Sequence, residues 1–356
     1  MISKENYSED HIRNLQNSSR KDPQLIERSL YALGLLEALS STGMRFIFKG
    51  GSSLMLLLPH VMRLSTDIDI VVAPGTDIIR YIHEASKIFP FVSFEEQVRI
   101  GKNHIEKRHF KFTYYSPVRQ SIFYILLDVL FEDNHYEQLI KKEIKNDLLL
   151  TEGNNLIVDV PTIDCILGDK LTAFAPYTTG IPLRVNKDLE VMKQFYDISV
   201  LIDKHTDFNN LYNTYHKVAS SEIQYRGISI SSTDALKDTL SASIVISSRG
   251  LSEKNDYAVF IQGIHAVATH IFAEDFNGET ASYKAANLIY MAACLLTDTP
   301  YERVSDYREY TDEKLHHPSL KVLARMKKAH PLQYAYLVKA DNLLMKNRIE
   351  PDIALL

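Results

Sequence analysis

A chain of 356 residues and 40.7 kDa, with 45% apolar and 24% charged residues, can bury a large core, which excludes a disordered chain and predicts two domains. Forty basic against forty-five acidic side chains leave a formal charge of −5, which argues against a protein that coats nucleic acid through bulk charge. The polar start "MISKENYSED" lacks a basic segment followed by an apolar one, and no apolar run approaches the roughly 20 residues of a membrane span, so the expectation is a cytoplasmic protein with no membrane association.

The first predicted element is a helix in "KDPQLIERSLYALGLLEALSS", with Asp22 as N-cap, Pro23 at the first helical position, and Leu25, Leu33, Leu36 and Leu39 in its apolar stripe. A short strand, "RFIF", runs into a Gly-Gly turn, and the apolar stretch from Ser52 ends at Pro59. A strand follows at 67 to 73, then a helix near 76 to 88. The segments 107 to 115 and 121 to 131 read as antiparallel neighbours joined through "SPVRQ". Residues 1–160 are therefore predicted to form an α/β domain with a small mixed sheet.

From Pro161 the period becomes helical, with breaks at "PYTTGIP", "SSRG", "FNGET" and "HHPS", so residues 161–356 are predicted to form a mainly helical domain and the fold class is α+β. Cys165 and Cys294 lie far apart without CxxC spacing and read as buried thiols. His265 and His270 of the helical segment "IHAVATHIF" are five apart, do not share a helical face, and read as structural. The run "KVLARMKKAH" at 321 to 330 reads as a basic helix face. In "GKNHIEKRHFKFTYY", Lys102, Lys107, Arg108 and Lys111 alternate with Phe110, Phe112, Tyr114 and Tyr115. That alternation reads as an amphipathic strand with a solvated face, and it is the best candidate for a local basic surface.

Three features bear on chemistry. A strand that ends in Lys49, Gly50, Gly51 and Ser52 and then starts a helix aims backbone N–H groups, the helix dipole and a hydroxyl at one place, where phosphate oxygens bind well. It is not a Walker loop, because no GxxxxGK[ST] is present, and a plain tight turn is the alternative. Asp67 and Asp69 are two apart on a strand and share a face. Two like charges there need a cation, and a hard divalent ion, magnesium above all, suits them; a solvated strand start is the alternative. Asp128 interrupts the apolar strand "SIFYILLDVLFED" and should meet a metal or a cation there, since an unpaired buried charge is costly. Lys170 lies at helical spacing from Ile163, Ile166, Leu167 and Phe174. It should find an anionic partner, a triphosphate or an aspartate, unless it snorkels to solvent.

The segment "KGGSSL…RLSTDIDI" closely resembles the signature of the AbiEii/AbiGii-type nucleotidyltransferases, toxin components of type IV toxin–antitoxin and abortive-infection systems within the DNA polymerase β-like superfamily. The resemblance covers roughly residues 20 to 205, from the "KDPQLIERSL" helix to Lys170 and Asp197. It implies that Gly50, Gly51 and Ser52 form the phosphate-binding turn, that Asp67 and Asp69 bind catalytic magnesium, and that Arg63 and Ser65 of the RxSxDxD run line the nucleotide pocket. Lys170 corresponds to a functional lysine in the family's "KL.A" helix, and Asp197 to the second aspartate of its "RDlyDl" helix. Lys193 and Gln194 depart from that motif, where relatives have arginine and aspartate. Without the resemblance, Asp197 reads as half of an exposed i,i+4 pair with Lys193. The implied reaction moves a nucleoside monophosphate from an NTP to an acceptor hydroxyl, in particular the 3′ end of tRNA, with a cognate antitoxin as a partner. The alternatives are a small-molecule acceptor, as in antibiotic nucleotidyltransferases, and a nucleotide-binding module without turnover.

Overall fold

In the computed structural model, which describes residues 1–97 and 106–351, the chain forms two units. One comprises Met1–Thr162 with Thr269–Glu274, the other Ile163–Ala268 with Asp275–Leu356. Lys102 of the basic run lies outside the described residues.

In the first unit, helix α1 (Glu9–Ser19) precedes α2 (Pro23–Ser41). Asp22 caps α2 by accepting the Gln24 N–H at 2.7 Å, and Pro23 opens it without losing an intrahelical bond. Leu30, Leu33, Leu36 and Leu39 are fully buried, each worth about 1.5–3 kcal/mol against exposure. The chain continues through β1 (Ile47–Lys49), α3 (Gly50–Leu57), β2 (Asp67–Val72), α4 (Ile79–Ala85), β3 (Phe91–Gln97), β4 (Lys107–Ser116), β5 (Ser121–Phe131), β6 (Leu139–Glu143) and β7 (Ile157–Pro161).

These strands form one mixed sheet in the order β3-β4-β5-β2-β1-β7-β6, in which β1–β7 and β2–β5 are parallel and the other pairs antiparallel. Helix α2 packs on β2 and β5, and the alternate residues Ile68, Ile70, Leu127 and Val129 are buried. Glu27 of α2 is fully buried, yet satisfied: its carboxylate accepts from Tyr114 Oη at 2.9 Å, Ser116 Oγ at 2.8 Å and the Val118 N–H. The sequence reading contained four of these strands. Three were missed: β3, "FVSFEEQ", is an edge strand with mostly exposed residues, β6, "LIKKE", is half polar, and β7, "IVDVP", is five residues interrupted by Asp159.

In the second unit, α5 (Ile163–Ala173), α6 (Asp188–Ile202), α7 (Phe208–Arg226), α8 (Ser232–Ser248), α9 (Lys254–Ala268), α10 (Gly278–Leu296), the single turn α11 (Met326–Ala329) and α12 (Pro331–Asn347) pack with no strand among the described residues. Helix α5 lies so close to α7 that a side-chain carbon on Gly168 would stand 2.9 Å from the Leu211 carbonyl oxygen. Both cysteines are free and buried, and burial pushes the Cys294 thiol up to about 12.

Two expectations for this half need correction. The run 321 to 330 is no continuous helix: a 3-10 turn at Lys321–Leu323 and α11 divide it, because Leu323 and Met326 are drawn into the core while Lys321, Arg325 and Lys328 stay exposed. His270 does not share a helix with His265. Helix α9 stops at Ala268, and Thr269–Glu274 belongs to the first unit, where the Leu64 N–H donates to the His270 carbonyl at 2.8 Å and the Phe272 N–H to that of Met62 at 2.7 Å. No helix among the described residues is long and apolar enough to cross a membrane.

Candidate active site

The site begins where β1 meets α3. Gly50 carries φ +77°, which a side chain rarely tolerates, and a side-chain carbon there would collide with the Asp69 carboxylate. One on Gly51 would collide with the Arg63 guanidinium and come within 3.2 Å of Ser65 Oγ. Gly50 is thus required by its positive φ and its approach to Asp69, and both glycines leave room for the RxSxDxD run. The first N–H groups of α3 have no intrahelical acceptor, so this turn presents donors beside two carboxylates. Ser52 is buried. Its hydroxyl bonds the Asp67 carbonyl oxygen and lies 2.9 Å from Ser65 Oγ, so that hydroxyl ties α3 to β2.

Strand register assembles the rest. Asp69 pairs with Lys49 on one side and with Asp128 on the other, and Asp128 pairs with His109 of β4. Paired residues on neighbouring strands share a face, so Lys49, Asp69, Asp128 and His109 form a row across four strands, with Asp67 one step along β2 on that face. Every predicted residue of the first unit therefore converges: Lys49, Gly50, Gly51 and Ser52 at the turn, Arg63 and Ser65 against it, and the three aspartates beside it.

Two partners were missed. Arg28 of α2 donates from Nη2 to Asp67 Oδ1 at 3.2 Å, and His109 Nδ1 lies 2.6 Å from Asp128 Oδ1. Nothing local in "QLIERSL" or "KRHFKF" marks either one; only the tertiary register does. Lys49 Nζ lies 5.8 Å from the centre of the Tyr136 ring.

Among the described residues no three His, Cys, Asp or Glu side chains close into a preformed metal cage. Magnesium is commonly held by one or two carboxylates together with substrate phosphates, so Asp69 and Asp128 in register, with Asp67 two residues along, are a donor set of the right chemistry. A cavity of about 640 Å³ lies at the opposite ends of these strands, lined among others by Arg45, Val72, Glu132, Lys141 and Asp159; it includes none of the predicted site residues.

Lys170 and Asp197 lie in the helical unit, on α5 and α6, and are paired there: Nζ stands 2.7 Å from Asp197 Oδ2 and donates to Gln194 Oε1 at 3.1 Å. Lys170 does not snorkel, since its side chain is only 6% exposed. Asp197, at 2%, is not half of an exposed pair. Of the two anionic partners open to Lys170, an aspartate is present. Gln194, the departure from the family motif, is its second acceptor.

A family model described as "Nucleotidyl transferase AbiEii toxin, Type IV TA system" matches residues 34–275, a span that closes just past the Thr269–Glu274 segment paired with Arg63. Similar solved structures include JHP933 from Helicobacter pylori, at 13% identity and a TM-score of 0.43 over 76% of this chain and 93% of that one. Another is a candidate nucleotidyltransferase from the same organism, also at 13% identity and 0.43, over 76% and 96%. No curated protein matches.

Proposed function

Because this chain belongs to the family of AbiEii nucleotidyl transferase toxins of type IV toxin–antitoxin systems, we propose that it moves a nucleoside monophosphate from an NTP to the 3′ hydroxyl of an RNA, tRNA in particular, with magnesium as the metal. The acceptor oxygen forms a bond to the α-phosphorus, the bond from that phosphorus to the bridging oxygen breaks, and pyrophosphate leaves. The acceptor proton passes to the Asp128 carboxylate, which His109 holds in place. Asp67, Asp69 and Asp128 would hold magnesium, which would neutralise the charge that gathers on the phosphoryl oxygens.

The remaining work belongs to the chain itself. The Gly50–Gly51 turn offers the triphosphate its backbone N–H groups at the start of α3. Arg63 and Ser65 line the nucleotide's side of that turn, Ser52 holds the turn to β2, and Arg28 steadies Asp67. Within the helical unit, Asp197 fixes the Lys170 side chain at 2.7 Å. A cognate antitoxin would be the partner that restrains the activity.

The observation that carries this reading is the register of Asp69 with Asp128, together with the missing side chain of Gly50 against Asp69. The test is incubation with labelled NTPs, magnesium and total tRNA. Label should enter tRNA, and chelation of magnesium, Asp67→Ala or Asp69→Ala should each abolish it without unfolding the protein. Label entering only a small molecule would instead favour the antibiotic-type acceptor. Magnesium-dependent NTP binding without any transfer, unchanged by Asp67→Ala, would favour a binding module.

A further inference from the structure

The basic and aromatic run of β4 is sorted by the sheet into two sets. Phe110, Phe112 and Tyr114 are buried on the α2 side, whereas Lys107, His109, Lys111, Thr113 and Tyr115 alternate onto the face that carries the aspartates. On β5, Asp128, Leu126, Tyr124 and Ile122 do the same, opposite His109, Lys111, Thr113 and Tyr115 respectively. A strip thus leads away from Asp128 along two paired strands. None of its residues is fully buried, and at its far end Tyr115 and Ile122 are 52% and 59% exposed. Lys111 Nζ lies 4.9 Å from the centre of the Tyr124 ring, which places a cation beside an aromatic surface. At about 3.4 Å per residue, Tyr124 lies about 14 Å from Asp128 and the Tyr115–Ile122 pair about 20 Å.

We propose that this strip binds the last few nucleotides of a single-stranded RNA acceptor, with bases stacked on Tyr124 and Tyr115 and with Lys111 meeting a phosphate. The proposal rests on the RNA-acceptor reading above and names the surface that presents the acceptor's end to Asp128. A small acceptor needs room only beside the carboxylates, whereas this strip extends well beyond them. Aromatic rings with neighbouring cations on an open sheet face suit single strands, because every base has a stacking face and the interaction tolerates sequence.

The test uses the full chain and a short single-stranded RNA carrying a fluorescent adenine analogue near its 3′ end. Stacking should quench the probe. Tyr124→Ala and Tyr115→Ala should each weaken binding about 5- to 150-fold, and Tyr124→Phe should retain it. Lys111→Ala should lower the slope of log affinity against log salt by about 0.7. Magnesium–NTP binding and the circular dichroism spectrum should not change in any variant. Absence of binding by the unaltered protein, or equal binding by both folded tyrosine-to-alanine variants, overturns the proposal. The two readings separate cleanly. Transfer to RNA with unchanged KM in Tyr124→Ala and Tyr115→Ala removes the strip and leaves the reaction, whereas Tyr124-dependent RNA binding with no label entering RNA removes the reaction and supports the strip.

Discussion

At Gly50 a single hydrogen atom in place of a side chain lets the backbone turn at positive φ and brings the Asp69 carboxylate against the main chain. Gly50→Ala should cost about 1–2 kcal/mol from the left-handed backbone alone, with further loss from the collision with Asp69. Urea unfolding should register the first effect. The second should appear as lost magnesium–NTP binding at urea concentrations where the variant remains folded. The glycines and aspartates were legible in the sequence because their chemistry shows in residue type and spacing. Arg28 and His109 were not, since a helix-surface arginine and a strand histidine gain meaning only from what faces them.

At the scale of elements, the site depends on one short helix and on strands from three separate stretches of chain. Helix α3 is tied to β2 through Ser52, and β2 is flanked by β1 and β5, so Lys49, Asp69 and Asp128 are held at fixed spacing by ladder hydrogen bonds. The α5–α6 pair is different in kind. Lys170 and Asp197 are almost completely removed from water, so their attraction is strong but so is the cost of desolvating them. Asp197→Ala would strand the Lys170 ammonium in the interior and should destabilise the helical unit by about 3–5 kcal/mol, measured by denaturant unfolding. Asp197→Asn, which leaves an acceptor for Lys170, should cost less. If the alanine variant unfolded like the unaltered protein, the buried pair would not contribute to the stability of the helical unit.

For the whole molecule, two units imply that unfolding need not be a single transition, and one buried acid offers a handle on the helical one. Asp238 of α8 is fully buried, and burial pushes its carboxyl up to about 7 even though Oδ2 accepts from the Tyr177 N–H at 2.7 Å and Thr178 Oγ1 at 2.8 Å. A carboxyl that holds its proton more tightly when folded stabilises the fold below its unfolded pKa, and that contribution is lost as pH rises through the folded value. The melting temperature of the helical unit should therefore fall between about pH 4 and about pH 7, and Asp238→Asn should flatten that dependence. Thermal unfolding followed by circular dichroism across that range checks it; a parallel slope in the variant would assign the effect to another group.

By itself the sequence determined the α+β class, the capped apolar helix α2, the strand–glycine–helix turn, the acidic β2 and the change to helical periods near residue 161. All of these are written in local period, turn chemistry and residue type, which neighbours along the chain suffice to specify. Tertiary structure alone decided the partners: Arg28 on Asp67, His109 on Asp128, Asp197 on Lys170, and Thr269–Glu274 beside Arg63. It also turned Lys107 and Lys111 of β4 and the carboxylates of β2 and β5 onto one face. The physical reason is that register between strands and packing between helices join residues tens to hundreds of positions apart, and no local pattern encodes which of many polar groups will meet.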